Sequence, residues 1–573
     1  MKYICYLLSF LMFFSCAQEK PVSVKILQTS DVHGALFPYD FIEDKPMNTS
    51  LEQVYTYVKN QRNENANVLL LDNGDNLQGQ PTVYYYNFID TLNPHFLAQI
   101  MNFMEYDATS VGNHDIEAGH AVYDRVRKQY NFPMLCANII DKNTGEPYFT
   151  PYKIYDYNGV KVAVLGLITP HVPHWLPENL WSGMQFTDMI ESAREWVNII
   201  NEKEKPHVLI GLFHAGADAG NNPGEPMNEN ASVLVAKQIP GFDAVFIGHD
   251  HQKRCEQVVN NYNDTVWILN PANNARYLSE LDIMVTLKGN KVKSKKTTGR
   301  LIDVSTLDIE PDLQQFDKQF KEIKSFVSKP IGVFTKTIST RDAYSGPSTF
   351  VDLIHRIQLD VAKADISFAA PLSFDTEIKA DTVFVRDMFK LYKYENLLYA
   401  MELSGQEVKD FLEFSYGLWL NQMKSPTDHL LLLHPGDFVN MRNGRFINPS
   451  YNFDSGAGII YEVNVTQPIG SRITIKQMAN GTPFSLTKKY RVAINSYRGN
   501  GGGDHLTKGA GIPKDELSDR IVFATDVDLR YYLMNWIEEQ KTVNPQPLNE
   551  WKLIPENWVK PAAERDYKLL FPN

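Results

Sequence analysis

The sequence contains few cysteines and no excess of positive charge, and each shortage excludes a class of protein. Four cysteines occur in 573 residues, and two of them, Cys5 and Cys16, lie in an N-terminal apolar segment. The remaining pair, Cys136 and Cys255, cannot make a disulfide framework, so the fold must depend on hydrophobic cores. Acidic residues outnumber basic ones by 68 to 56, and the net charge of -12 excludes a basic surface for long nucleic acid.

Long apolar runs are absent after the N-terminus. The segment MKYICYLLSFLMFFSC has one early lysine and an apolar run from Tyr3 to Phe14, which is too short and too terminal for a membrane span. It predicts an export signal over residues 1–20. The small residue before Cys16 predicts lipidation of that cysteine in a bacterial lipoprotein, and a plain secretory signal cleaved nearby is the alternative. Either signal predicts that the mature protein is exported. It would lie in the periplasm or be attached to a membrane by a lipid anchor, and the cell surface is a further possible location.

Length and patterning predict two large domains, because 573 residues exceed one hydrophobic core. From residue 21 to 305, strand-length apolar runs such as VKILQTS and HVLIGLF alternate with amphipathic stretches. This alternation predicts an α/β domain with helices outside the sheets. The polar segment 306–332 predicts a linker helix, and 333–542 predicts a second, mixed α+β domain. The tail, 543–573, is rich in Pro and Trp and is expected to pack over a neighbouring element.

Side chains of the metal-ligand type follow the strand-like runs of the first domain, where α/β folds bind ligands. Imidazole, carboxylate and amide oxygen together suit Zn, Mn, Fe or Co. Residues at i and i+2 of an extended segment share one face, and one bridging carboxylate can hold two ions about 3.5–4 Å apart around a phosphoryl centre. The residues concerned are Asp31, His33, Asp75, Asn113, His114, His214, His249 and His251.

The order DVH…GD…GNHD…H…GHDH resembles the calcineurin-like metallophosphoesterases, and the resemblance implies a sandwich of sheets flanked by helices with two divalent metal ions. It implies that one ion is bound by Asp31, His33, Asp75 and His251, and the other by Asp75, Asn113, His214 and His249, with Asp75 bridging. It also implies that His114 faces the substrate and stabilises or protonates the leaving oxygen. Either Glu117 or the adjacent Asp115 could orient His114, and a carboxylate partner would favour the protonated imidazole that a general acid needs.

The second domain resembles the C-terminal, nucleotide-binding domain of bacterial 5'-nucleotidases and 2',3'-cyclic-nucleotide phosphodiesterases. The segments NSYRGNGGGD, YNFDSGAGIIYEV, FAAPLSF and LYKYENLLYAMELSGQEVKDFLE carry this resemblance. It implies a base held between two aromatic rings, for which Tyr451 and Tyr497 are the candidates and Phe453 is an alternative to the first. Such stacking contributes about 1–3 kcal/mol per base and tolerates all bases. Asp504 is the candidate for a hydrogen bond to the base or ribose. The arginine-bearing GGIR-type segment of 5'-nucleotidases is replaced by AAPLSFDTE.

The two resemblances together predict an exported, metal-dependent phosphoric ester hydrolase of nucleotide catabolism that releases nucleoside and phosphate. YNFD and SYR favour a 2',3'-cyclic-nucleotide 2'-phosphodiesterase/3'-nucleotidase, whereas GGGD resembles the 5'-nucleotidase branch. One alternative is a phosphoesterase for UDP-sugars or other phosphoesters. Another is a non-catalytic surface binding protein on the same fold. The expected partner is a nucleotide substrate, with no long nucleic acid and with membrane contact only through a lipid anchor.

Overall fold

The computed structural model describes residues 19–217, 227–436 and 444–572. Cys16 and the rest of the predicted export signal before residue 19 lie outside the described residues. Within the described ranges, no helix is long and apolar enough to cross a membrane. Cys136 and Cys255 are both free thiols, so the fold is held together without a disulfide between them, as their spacing predicted.

Two six-stranded sheets form the centre of the first domain. In spatial order the first sheet contains Lys291–Asp303, Tyr277–Lys288, Glu19–Thr29, Val68–Asp72, Ala108–Ser110 and Met134–Leu135. The second contains Lys253–Val259, Thr265–Pro271, Ala244–Ile247, Val208–His214, Val160–Ile168 and Tyr152–Tyr157. Apolar side chains from both sheets, among them Ile26, Leu71, Val164 and Ile210, form one buried cluster. Because the central strands are parallel and buried on both faces, they are continuous apolar runs in the sequence.

Helices cover the outer faces of these sheets. Their bounds are Leu51–Glu64, Pro81–Tyr84, Phe96–Phe103, Asn113–Glu117, His120–Gln129, Val172–Trp175, Met189–Lys203 and Ser232–Gln238. The two longest begin at side-chain caps: Ser50 accepts from the backbone N–H of Glu52, and Asp188 accepts from that of Ile190. The predicted linker helix is a 3-10 turn, Pro311–Phe316, followed by the helix Asp317–Val327. The predicted α/β architecture is confirmed.

The second domain is mixed α+β. Its five-stranded sheet contains, in spatial order, Ser455–Ala457, Ile366–Ala369, Lys489–Asn495, Leu398–Ser404 and Ile521–Ala524. Two three-stranded sheets contain Asp381–Phe384, Pro330–Phe334 and Thr542–Val543, and Ile473–Met478, Ile459–Asn464 and Trp551–Ile554. Its helices are Thr349–Ala362, Val385–Leu391, Gly405–Trp419, Ser496–Gly499, Leu529–Gln540 and Glu556–Leu570. The tail adds a strand and a helix to this domain, since Trp551–Ile554 pairs in parallel with a strand of the last sheet.

A tyrosine of the first domain anchors the second domain against it. Tyr84 is 1 % exposed and packs within the apolar core of the second domain. Its hydroxyl donates to Asp528 Oδ2 at 3.1 Å, and the guanidinium carbon of Arg530 lies 4.9 Å from its ring centre. Surface ion pairs such as Lys390–Glu43, 3.0 Å apart, join the same two domains. These contacts fix which loops of the second domain face the strand ends of the first.

Candidate active site

The side chains of the metal-ligand type converge where the strands of both sheets end. Ligand atoms of two groups lie within 4.8 Å of one another: Asp31, His33, Asp75 and His251 form one, and Asp75, His214 and His249 form the other. Asp75 belongs to both groups. Asn113 Oδ1 completes the second, since it lies 3.2 Å from His214 Nε2 and 2.8 Å from His249 Nδ1. All seven residues that were predicted as ligands are therefore brought together.

The orientation of the imidazoles fits metal binding. Nδ1 of His33 lies 3.0 Å from the Gln78 carbonyl, and Nδ1 of His214 lies 2.6 Å from the Asn73 carbonyl. A carbonyl oxygen only accepts, so Nδ1 carries the proton in both rings and the lone pair of Nε2 points into the site. There, Nε2 of His33 and Nε2 of His251 face each other at 3.0 Å. A divalent cation held by these groups would polarise the phosphoryl oxygens and activate a water molecule.

Most of the same residues have a left-handed backbone conformation. Five of the seven have φ angles between 49° and 71°, in the left-handed region that side chains other than glycine rarely adopt. They are Asp31, His33, Asp75, His249 and His251. Strained backbone costs on the order of 1–3 kcal/mol per residue, and it typically persists at functional sites. The site therefore holds its ligand-type side chains at a cost in stability.

Glycines let the ligand-bearing loops touch. A Cβ on Gly112 would lie 2.2 Å from Asp75 Oδ1, and one on Gly74, at φ +81°, would lie 2.5 Å from the backbone nitrogen of Gly112. The glycine in GNH and the glycine in GD are thus required by the same contact. This contact places the Asp75 carboxylate beside Asn113 and His114.

His114 is oriented by Glu117, which decides between the two carboxylates that the sequence left open. His114 Nδ1 lies 2.5 Å from Glu117 Oε2, and its backbone N–H donates to Asp75 Oδ1 at 2.8 Å. Asp115 has another role: its carboxylate accepts four backbone N–H groups, from Asp75, Asn76, Leu77 and Gly112, at 2.9–3.0 Å. Asp115 therefore fixes the loops of the site, and the prediction of it as a catalytic residue is not supported by its contacts.

Charges around His114 favour its protonated form. Burial alone lowers the pKa of His114, but the carboxylates of Asp75 and Glu117 outweigh burial and raise this pKa to about 9. The imidazole side chain keeps a quarter of its surface exposed, whereas Glu117 is nearly buried. A protonated imidazole whose far nitrogen is accessible can donate a proton to a leaving oxygen, so the pair has the properties of a general acid and its orienting carboxylate.

The second domain faces Glu117, the hydrogen-bond partner of His114, with an aromatic wall. Tyr394 lies close enough to Glu117, Tyr451 and Tyr497 for all three to raise its pKa, after the larger effect of burial. The rings of Tyr394 and Tyr451 meet edge to face with centres 6.5 Å apart. Tyr451, Tyr497 and Tyr394 are all half-buried. The predicted ring pair is therefore brought together with a third tyrosine that the sequence did not single out.

Phe453, the alternative to Tyr451, is a core residue. It is 1 % exposed, and its ring stacks on Trp419 with centres 5.6 Å apart and planes 5° from parallel. Because the ring is buried, it offers no surface to a substrate in this structure, and its position does not support the alternative role predicted for Phe453. Asp504 lies near Tyr497, and its side chain is about half-exposed. Its carboxylate accepts hydrogen bonds from Lys508 at 2.9 Å and from Thr507 at 3.3 Å.

Two residues that support the site were missed from the sequence. Trp175 stacks on His249, with ring centres 5.5 Å apart and planes inclined by 25°. Glu229 Oε1 lies 3.1 Å from Nε2 of the same histidine. Together they hold the ring on its face and at the nitrogen that points away from Asn113. Trp175 follows a pair of histidines in PHVPHW, a motif that gave no indication of this contact, and Glu229 had no sequence signal.

Comparison with known proteins agrees with both halves of the fold. Residues 24–253 match the calcineurin-like phosphoesterase family, and residues 330–508 match the 5'-nucleotidase C-terminal domain. The first domain is thus similar to calcineurin-like phosphoesterases, and the second is similar to the C-terminal domain of 5'-nucleotidases. Together with the cluster of ligand-type residues, these matches support a hydrolase that acts on phosphoesters.

Relatives within the family differ in length. The chain is 29 % identical to the trifunctional nucleotide phosphoesterase YfkN of Bacillus subtilis over 93 % of its own length, but it spans only 39 % of that protein. It is 26 % identical to a 2',3'-cyclic-nucleotide 2'-phosphodiesterase/3'-nucleotidase of Salmonella typhimurium, over 93 % of this chain and 89 % of the relative. A Staphylococcus aureus structure solved as a 5'-nucleotidase candidate has the same fold, with a TM-score of 0.77, 21 % identity and coverage of 93 % and 100 %.

Proposed function

We propose that this chain is an exported two-metal phosphoesterase that hydrolyses nucleotides, with 2',3'-cyclic nucleotides and 3'-nucleotides as its preferred esters. The observation that carries the proposal is the position of His114. This imidazole lies between a ligand cluster that shares Asp75 and a wall of tyrosines from the second domain. The ligand cluster would hold the phosphate, and the tyrosines, which approach Glu117 from the second domain, would hold the base.

The preference for the cyclic and 3'-esters is supported by two features. SYR and YNFD occur in the aromatic segments of the second domain, and the GGIR-type arginine of 5'-nucleotidases is absent from AAPLSFDTE. In addition, the similarity to the Salmonella relative extends over nearly the whole of both chains. Hydrolysis of 5'-nucleotides is the competing outcome within the same family.

Each side chain has a separate task in the proposed reaction. Asp31, His33, Asp75 and His251 would hold one ion, and Asp75, Asn113, His214 and His249 the other, with Asp75 shared. His114 donates a proton to the ribose oxygen as the ester bond breaks, and Glu117 keeps its Nδ1 occupied so that Nε2 faces the substrate. Tyr451 and Tyr497 hold the base, and Asp504 is proposed to accept a hydrogen bond from the base or ribose.

A substrate panel tests the proposal. We would measure phosphate release from 2',3'-cyclic AMP (with added phosphatase), 3'-AMP, 5'-AMP and UDP-glucose, with and without Mn²⁺. Wild type should turn over 3'-AMP in a Mn²⁺-dependent manner, and His114→Ala should reduce this by about 10²–10⁴-fold. His120→Ala is the matched control, because His120 bonds to Asp124 and to the Ser182 carbonyl outside the site. Absence of turnover on every nucleotide would refute the proposed substrate class.

The proposed location has a test of its own. If Cys16 is lipidated, wild type should sediment with the membrane fraction after export, whereas Cys16→Ala should remain soluble outside the cytoplasm or fail to be processed. Equal distribution of the two proteins in the soluble periplasmic fraction would favour a plain secretory signal.

A further inference from the structure

The glycine-rich turn after the strand Lys489–Asn495 encloses a buried arginine. The Arg498 side chain is 1 % exposed, and it pairs with Asp454 through Nε at 3.1 Å and Nη2 at 2.9 Å. Nη1 donates to the Gly502 carbonyl at 3.0 Å. A Cβ on Gly503, at φ +70°, would lie 2.2 Å from Nη1, so a larger residue cannot occupy this position. The sequence NGGGD therefore closes around a guanidinium group.

The same guanidinium joins the two segments that carry the base-binding tyrosines. Nη2 donates to the Tyr451 carbonyl at 2.6 Å and to Asn452 Oδ1 at 2.9 Å. The guanidinium carbon lies 5.3 Å from the centre of the Tyr497 ring. That ring also packs closely on Gly502, where a Cβ would lie 2.6 Å from Cε2 of the tyrosine. Arg498 thus binds the backbone of Tyr451 and lies beside the ring of Tyr497.

The strands beside the two tyrosine segments are not neighbours in the sheet. Tyr451 precedes the strand Ser455–Ala457, and Tyr497 follows the strand Lys489–Asn495, but Ile366–Ala369 lies between these two strands. Beyond the strand ends, the two segments are joined directly by side-chain contacts. Arg498 makes five of the hydrogen bonds in this region, and an arginine fork donates in a fixed planar geometry that lysine cannot reproduce.

We propose that Arg498 is a positioning residue that sets the spacing of the Tyr451 and Tyr497 rings and thereby the affinity of the site for a nucleobase. This inference rests on the proposed function, because it concerns the same base-binding wall. Arg498 acts through the two tyrosines and does not touch the phosphate, so it affects base binding and leaves the chemical step unchanged.

A second buried arginine of the domain provides a matched control. Arg472 is 2 % exposed, and its guanidinium donates to the carbonyls of Gln467, Tyr416 and Leu420 at 2.8–3.2 Å. None of these partners belongs to the segments of the two tyrosines. Arg498→Lys and Arg472→Lys should both lower the unfolding temperature, because each leaves buried acceptors unpaired. Only Arg498→Lys should change base binding.

The experiment measures base binding in two ways, with Mn²⁺ present. The first is KM and kcat for 3'-AMP beside those for bis(p-nitrophenyl) phosphate. The second is inhibition of bis(p-nitrophenyl) phosphate hydrolysis by adenosine, which requires no nucleotide turnover. We expect Arg498→Lys to raise KM for 3'-AMP and Ki for adenosine by about tenfold, with kcat nearly unchanged. Asn452→Ala, which removes one of the five hydrogen bonds, should shift both constants in the same direction by a smaller factor and remain folded.

The outcomes separate the two hypotheses. If wild type hydrolyses no nucleotide, the proposed function fails. If adenosine still inhibits its hydrolysis of bis(p-nitrophenyl) phosphate, the Ki values of the variants for adenosine still test the role of Arg498. Unchanged adenosine inhibition in Arg498→Lys and Asn452→Ala would overturn the inference, and so would an equal rise in Arg472→Lys. A loss of kcat for bis(p-nitrophenyl) phosphate in Asn452→Ala would also overturn it, because the effect would then reach the chemical step.

Discussion

Removal of the Tyr497 ring is the perturbation that tests the base-binding wall most directly. The ring is half-buried, packs closely on Gly502 and lies 5.3 Å from the guanidinium carbon of Arg498, and Tyr451 is close enough to affect its pKa. Tyr497→Ala therefore removes a supported, preformed stacking surface. The glycine-rich turn should keep its conformation in this variant, because Arg498 binds the Gly502 carbonyl and Asp454 through hydrogen bonds that do not involve the Tyr497 side chain.

The magnitude follows from stacking. Base–aromatic stacking contributes about 1–3 kcal/mol, which corresponds to an increase of roughly 5- to 150-fold in KM for a nucleotide. In the proposed function the first domain holds the phosphate, so kcat/KM for bis(p-nitrophenyl) phosphate should fall by much less, about 3-fold or less. A nitrophenyl ring offers a smaller stacking surface than a purine. Tyr497→Phe keeps the ring and should resemble wild type.

The assay is steady-state hydrolysis of 3'-AMP and bis(p-nitrophenyl) phosphate by wild type, Tyr497→Ala and Tyr497→Phe at fixed Mn²⁺. The reasoning predicts that the ratio of the two kcat/KM values changes only in the alanine variant. Equal losses on both substrates would refute the assignment of Tyr497 to the base. A loss in Tyr497→Phe as large as that in Tyr497→Ala would show that the hydroxyl, and not the ring, carries the effect.

Three other perturbations have definite expected results. Glu117→Gln should lower kcat for 3'-AMP by about 10–100-fold but leave kcat for p-nitrophenyl esters unchanged, because their leaving group needs no proton. Asp115→Asn should instead weaken Mn²⁺ binding, measured by titration with Mn²⁺, and lower the hydrolysis of both substrates. Burial, and to a smaller extent the carboxylate of Asp317, raises the pKa of Glu52 from 4.5 to about 8. Because the unfolded chain loses this proton first, the free energy of unfolding falls as pH rises from about 4.5 to 8. Glu52→Gln should remove up to about 5 kcal/mol of that pH dependence in denaturant melts between pH 5 and 9, and identical pH profiles would contradict the shift. Phe453→Ala should cost about 3–5 kcal/mol in the same melts yet leave adenosine inhibition unchanged, since Phe453 packs on Trp419.

The ligand-type residues could be predicted because their positions depend on local rules. An apolar run predicts a buried parallel strand, and a polar residue directly after it must lie at the carboxyl edge of the sheet. Asp75 and His214 follow this rule, each at the end of a strand that is buried along its length. The convergence of such edges is a property of the α/β fold and requires no knowledge of side-chain packing.

The residues that orient and support the site depend on short helical turns, which sequence patterns describe poorly. Glu117 is three positions from His114, and these positions share a face only because Asn113–Glu117 is helical. Tyr451 and Phe453 are separated by two positions, and the 3-10 turn Ser450–Asn452 sends one ring toward the cleft and the other into the core. In an extended segment both rings would have shared a face, so the sequence could not distinguish them.

Contacts between the domains were beyond the reach of local patterns altogether. Tyr84 belongs to a helical turn of the first domain, but its environment includes Asp528, Arg530 and Phe389 from the second. Tyr394 likewise lies near Glu117 only because that docking is fixed. Such pairs are more than 250 residues apart, and their sequence neighbourhoods contain no sign of each other.

Left-handed backbone occurs both at glycines that form a turn and at residues that have a side chain. Gly501 and Gly503, at φ +97° and +70°, close the turn around Arg498 without strain. Asp504 follows them at φ +64° and has a side chain, as do Asp31 and His33 in the first domain. Left-handed φ angles also occur away from the site, for example at Lys363 and Lys541, so this backbone conformation alone does not assign a role to a residue. The physical reason to expect that the Asp504 carboxylate contacts the substrate is its position near Tyr497, where its charge affects the pKa of the tyrosine.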